Sequence, residues 1–316
     1  MFIVLGQMVN FTAICCCTFV LAVLNESFRP ANSTAIAQYS NDGNRTRCYS
    51  LNRLSINLGW ALGSAAGGFI ASRNYELLFW IDGLTNIGAA FLLRMVLAPQ
   101  RNKQTPAHSR VARSAEKTTS PYQDKLYLFF ILLTVMFSYC FFQLFTTVPV
   151  FYREQLKLTP FQIGSIMAMN GLIIALVEMA LVFQLEQRKQ NLKYISIGVL
   201  LTGSAFMVYN VLPGAISVAV VATLIITLGE MLSMPFMNSF MISRTNNSNR
   251  GQYAGLYTAG WSIAQVLGPF TGTQIVARFG FTLLWWVIGG MGILTAAGFK
   301  LLQIKTTPRS TLSTTE

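Results

Sequence analysis

The chain has 316 residues, of which 53% are hydrophobic and only 11% charged, a balance that excludes an ordinary soluble domain and leaves a polytopic membrane protein. Its net charge of +12 does not point to nucleic acid, because most of the basic residues lie on the connections between apolar runs. Five cysteines without metal spacing read as small buried hydrophobes, and a single histidine, His108, in a polar stretch without a partner gives no sign of a metal or catalytic role.

In chain order, "MFIVLGQ" (Met1 to Gln7) reads as the tail of a helix, and apolar runs then follow near 11–37, 52–72, 75–97, 126–151, 159–184, 194–212, 214–242, 252–277 and 280–304. Each is near or above the roughly 20 residues that cross a bilayer as a helix. The first run carries Asn25, Glu26, Arg29 and Pro30 at its middle, an unusual load for a segment bound for hydrocarbon. The fourth carries Tyr139, Phe142 and Gln143, the fifth Asn170 and Glu178, and the seventh Glu230 and Pro235. A long polar, basic connection occupies 98–125, and a polar tail occupies 306–316.

Lys and Arg fall unevenly on the connections. Seventeen lie on one set of alternate connections and the C-terminal flank, against Arg73, Arg153, Lys157 and Arg278 on the other. By the positive-inside rule the first set, with the linker and the C-terminus, is expected in the cytoplasm.

The chain also repeats itself. At an offset of 205 residues Pro30 falls on Pro235, Asn41 on Asn246, Arg45 on Arg250, Gly63 on Gly268, Gly67 on Gly272, Arg73 on Arg278 and Trp80 on Trp285. Two related halves in the same orientation follow. The second half has three runs before its Pro235 run, whereas the first has only "MFIVLGQ" before Pro30. The expectation is an N-terminally truncated chain, with roughly 80 residues of the repeat unit lacking.

Two parallel halves joined by a long basic linker resemble the major facilitator superfamily of secondary transporters. "GWALGSAAGG" (Gly59 to Gly68) is similar to that family's fifth-helix antiporter motif, GxxxGPxxGG, with Gly59, Gly63, Gly67 and Gly68 matching and Ser64 standing in place of the proline. "GEMLSMPFMNSFMISRTNNSNRGQYAGLY" (Gly229 to Tyr257) resembles the family's tenth helix and the turn after it. The stretch from Arg29 to Gly59 resembles the fourth helix and its turn, and also the proton-coupled oligopeptide transporters. The resemblance implies an all-α polytopic fold in which about nine of twelve transmembrane helices are present, helices 4–12 with the tail of helix 3. It gives a truncated N-terminal half at 1–97, a cytoplasmic linker at 98–125, a six-helix C-terminal half at 126–305 and a cytoplasmic tail at 306–316.

In this family the first, fourth, seventh and tenth helices line a central cavity. Those present would be 11–37, 126–151 and 214–242. Glu26 and Glu230 then stand at near-equivalent depths in the two halves. An ionised acid at mid-membrane costs about 2.5–3.5 kcal/mol on insertion scales, so such groups persist where they face water, pair with a base or titrate. Glu230, Glu26 and Glu178 are the candidates for proton coupling, with an interhelical lock the alternative for Glu178. Arg29 stands three residues from Glu26 and either pairs with it permanently or forms a latch that proton or substrate releases. Arg29, Asn25, Tyr139, Phe142 and Gln143 are the candidate substrate contacts, and Pro30 and Pro235 the candidate hinges.

The leading reading is proton-coupled efflux of a small amphipathic or drug-like solute by alternating access, from a chain expected to be inactive alone. One alternative is a proton-coupled importer of peptides or other small polar solutes. The other is a non-transporting membrane remnant or scaffold. No nucleophile elbow, zinc-protease motif or cofactor fingerprint is present, so neither an enzyme nor a cofactor is expected. The expected partners are a small-molecule substrate, protons and the lipid bilayer, with the protein monomeric in a bacterial inner membrane or plasma membrane.

Overall fold

Hydrocarbon offers backbone amides no partner, so apolar runs that cross it must close their hydrogen bonds internally as helices. The structure is a computed structural model that describes residues 1–39, 45–96, 120–186, 188, 190–245 and 249–306, with the backbone alone described at 26, 29–31, 33–39, 45–50, 53, 186, 215 and 250. Its helices are α1 (Phe2–Gly6), α2 (Phe11–Tyr39), α3 (Arg45–Arg73), α4 (Glu76–Val96), α5 (Lys125–Phe142), α6 (Thr147–Glu154), α7 (Pro160–Glu186), α8 (Asn191–Val211), α9 (Ala215–Ser243) and α10 (Arg250–Thr306). No strand occurs among the described residues. Linker residues 98–119, including His108, and tail residues 307–316 lie outside them, as do the side chains of Glu26, Arg29 and Pro30.

Seven of the described helices are long and apolar enough to cross a membrane. The run expected over 126–151 is one candidate span, Lys125–Glu154, built of α5 and α6 with a 3₁₀ turn at Gln143–Phe145 between them. α10 contains two of the expected spans. Gly280 interrupts it at φ 81° and ψ 174°, a backbone conformation that residues with a Cβ essentially never adopt. α2 has 29 residues, but its apolar part is the shorter Phe11–Asn25.

The 205-residue offset is visible in the helix boundaries. Adding 205 carries α3 from 45–73 to 250–278, which is α10 up to its break at Gly280. It carries α2 to 216–244, within one residue of α9, and α4 to 281–301, inside the second part of α10. It carries α1 to 207–211, the last turn of α8. Packing repeats as well. α1 lies on α4, where Gly6 faces Phe79 and Gly83 faces Ile3. α8 lies on the second part of α10, where a Cβ on Gly203 would come within 2.9 Å of the Gly292 Cα.

The helices pack into two units, Met1–Arg113 with Thr159–Gly171, and Ser114–Leu158 with Leu172–Glu316. In the first unit α3 and the start of α7 approach backbone to backbone. A Cβ on Gly68 would lie 2.8 Å from the Gly164 Cα, and one on Gly171 would lie 3.0 Å from the Asn57 carbonyl oxygen. Small residues permit this where larger side chains would hold the helices apart. Asn32 donates to Asn52 at 3.1 Å and ties α2 to α3. The second unit has a buried aromatic core in which Trp285 stacks with Phe206, packs edge-on to Phe151 and meets Tyr209. Beside it the Tyr152 hydroxyl joins those of Tyr209 and Thr223 and links α6, α8 and α9.

Candidate functional site

Glu230 sits in α9, a helix apolar for most of its length, and is 5% exposed. Its position follows from its neighbour. A Cβ on Gly229 would lie 2.7 Å from the Gly198 carbonyl oxygen and 3.0 Å from the Thr202 amide, so α8 and α9 cross nearly in backbone contact there. One turn on, the buried Ser233 hydroxyl donates to the Gly229 carbonyl at 2.7 Å. Pro235 follows, and its missing N–H leaves the Met231 carbonyl without the usual helical donor. A tight crossing, a carboxylate and a helix-weakening proline therefore fall within seven residues of α9.

Glu178 is also buried, at 6% exposure, in the part of α7 that belongs to the second unit. Asn25 is exposed on α2. Asn170 is buried and Asn57 half-buried.

The three candidate contacts on α5 and the turn after it behave differently from one another. The half-buried Tyr139 shares a hydrogen bond with the Thr271 hydroxyl on α10. Phe142 is half-buried and edge-on to the indole of Trp261, with ring centroids 5.9 Å apart. Gln143 is fully buried. Its amide nitrogen donates to the Gly268 carbonyl at 2.8 Å, and its amide oxygen accepts from Thr147 at 2.7 Å. Both ends of that side chain have partners within the unit, so Gln143 fastens the turn after α5 to α10.

Two residues that the sequence alone does not single out belong to the same cluster. Trp261 meets Phe137, Phe141, Phe142 and Tyr257, and Thr271 partners Tyr139. The available signal was the repeat, since Thr271 lies between Gly268 and Gly272, the two glycines that match the first half.

The motif glycines divide by face. Gly68 is in the close contact with α7, a Cβ on Gly67 would reach Leu78 at 4.0 Å, and a Cβ on Gly59 or Gly63 would meet no other side chain or helix within 4 Å. Ser64 joins Gly68 on the packed face, since a Cβ on Gly164 would meet its carbonyl oxygen. Among the described residues no group of three or more His, Cys, Asp or Glu side chains is arranged to hold a metal ion.

These features match known proteins. The chain is 21% identical over 278 residues to multidrug resistance protein 2 of Bacillus subtilis (strain 168), covering 81% of this chain and 68% of that protein. It is 21% identical over 298 residues to a Na(+), Li(+), K(+)/H(+) antiporter of Planococcus maritimus, covering 86% of this chain and 69% of the relative. The chain thus spans about two thirds of the length of these relatives. A crystal structure of a POT family transporter in complex with 5-aminolevulinic acid superposes with a TM-score of 0.80 at 14% identity, over 97% of this chain and 79% of that one. Residues 1–269 match the model of the Major Facilitator Superfamily. The chain belongs to the Major Facilitator Superfamily.

Proposed function

We propose that the transporter to which this chain belongs exports a small amphipathic or drug-like solute in exchange for protons, by alternating access, with Glu230 as the principal proton carrier. Membership of the superfamily makes it a multi-pass membrane protein of the transporter class, with a small-molecule substrate and no enzymatic chemistry. The observation that carries the finer reading is the burial of Glu230 at the α8–α9 crossing, five residues before Pro235. A carboxylate out of water favours its neutral form, and it can load and release a proton as its access to water changes. The names of the relatives, one a multidrug resistance protein and the other a cation/proton antiporter, support exchange of this kind. The likeness to POT structures is one of fold, at 14–17% identity, and does not favour peptide import.

In this reading Glu26 and Glu178 relay protons, and Asn25, Arg29, Tyr139 and Phe142 contact the solute. Gly59, Gly63, Gly67 and Gly68 form the sealing surface of the antiporter-like helix, and Pro30 and Pro235 are the points at which cavity helices bend. The halves divide as 1–97 and 126–305, the linker at 98–125 and the tail at 306–316 are cytoplasmic, and the protein works as a monomer in a bacterial inner membrane or plasma membrane.

The test is flux of a lipophilic cationic dye in proteoliposomes under an imposed pH gradient, for the transporter as the cell makes it (the parent) and for its Glu230→Gln variant. Dye movement should follow the gradient in the parent. The variant should keep dye–dye exchange and lose the response to the gradient. An undiminished response would remove Glu230 from the mechanism.

A further inference from the structure

We propose that Asp124 and Arg244 form a releasable latch between α5 and α9, with the end of α9 beyond Pro235 acting as a door hinged on α8. Its place in a transport cycle rests on the function proposed above, whereas the closed seam it describes does not.

Asp124 ties three helix ends together. Its Oδ1 accepts the Tyr127 backbone N–H at 3.1 Å and caps α5. Its Oδ2 accepts from Arg244 Nε at 2.9 Å and Nη2 at 2.6 Å, at the end of α9, and from the Tyr253 hydroxyl at 3.3 Å, near the start of α10. The Tyr127 hydroxyl in turn donates to the Tyr253 carbonyl at 2.7 Å, and the two rings lie 4.4 Å apart. Beneath the ion pair Phe130 of α5 meets Phe240 of α9, with ring centroids 4.7 Å apart.

The two edges of the α9 end are held by different means. Toward α8 the helices touch at Gly198 and Gly229, and past the proline Tyr194 packs on Phe236 and Asn191 donates to Ser239 at 3.0 Å. Toward α5 the reach is made by long side chains, Phe240 to Phe130 and Arg244 to Asp124. Long side chains can part without unpacking a backbone interface, whereas the glycine crossing cannot. Pro235 deletes one helical hydrogen bond between these regions and is where α9 can bend.

The ion pair is also reachable by water. An open cleft of about 370 Å³ is lined by Gln123, Asp124, Lys125, Leu126 and Arg244, and the Arg244 side chain is 29% exposed against 12% for Asp124. A pair in that setting adds a modest bias toward the closed seam and is screened enough to exchange for water.

Spin labels at Gln123→Cys and Ser243→Cys, with the native cysteines replaced, read the width of the seam in the full chain in lipid nanodiscs by double electron–electron resonance. Asp124→Ser keeps a capping hydroxyl for α5 and removes the charge, so it separates the latch from the cap. Both Asp124→Ser and Arg244→Gln should give a several-fold larger wide-distance population than the parent. Ser239→Ala, on the hinge edge, should leave the narrow population dominant. A seam that stays narrow in both latch variants overturns the proposal, as does one that widens equally in Ser239→Ala. The distances do not depend on flux, so a protein that moves no dye but whose seam opens in the latch variants would count against the transport reading alone.

Discussion

Gln143 and Glu230 are both polar and buried in the second unit, and their neighbours give them different work. Gln143 spends both ends of its amide on Gly268 and Thr147. Replacing it with leucine should cost on the order of 1 kcal/mol, the scale of an interhelical hydrogen bond in a membrane, and lower the thermal unfolding midpoint in detergent. The apparent KM for the dye should not change. A changed KM with an unchanged midpoint would return Gln143 to the solute path. This distinction was not legible in the sequence, where Gln143 stands beside Tyr139 and Phe142 on an apolar run and looks like a polar contact. Only the partners across the helix pair reveal that it is already occupied. That Glu230 would need a buried, protected setting was legible, because a carboxylate in the middle of an apolar run has few inexpensive explanations.

At the scale of the helix, the glycines make the sharpest predictions. Gly68 faces Gly164 with no room for a side chain, whereas Gly59 faces open space. Gly68→Leu should therefore destabilise by about 1–3 kcal/mol, the usual cost of overpacking, and Gly59→Leu should change the unfolding midpoint little. Equal effects would mean that α3 and α7 do not meet as described. The sequence marked Gly59, Gly63, Gly67 and Gly68 as one motif. The helical period separates them, because 59, 63 and 67 advance by four residues and share one face while 68 turns toward the next. Gly280 is the other strong position. Its φ of 81° with extended ψ admits almost only glycine, so Gly280→Ala should cost about 1–3 kcal/mol by the same thermal measurement. The break it makes in α10 is the repeat mate of Tyr75, in the gap between α3 and α4.

For the whole molecule the repeat was the most informative feature of the sequence. One offset of 205 residues relates α1, α2, α3 and α4 to the end of α8, to α9 and to both parts of α10, with boundaries agreeing to about a residue. Such agreement was foreseeable because helix starts, prolines and turn residues are local features that duplication preserves. The division into packed units was less legible. It depends on which small residues of α7 meet α3, and no periodicity in either helix announces that contact. The 3₁₀ turn at Gln143–Phe145 was hidden for the same reason, since an unbroken apolar run gives no sign of where its hydrogen bonding changes.

Proton coupling through a buried acid is the claim on which the functional account stands. The most direct measurement is dye flux into proteoliposomes holding either the parent or Glu230→Gln, recorded with and without a pH gradient of fixed size and sign. The account predicts gradient-driven flux in the parent and, in the variant, exchange that no longer responds to the gradient. Gradient-driven flux of equal size in both would contradict it.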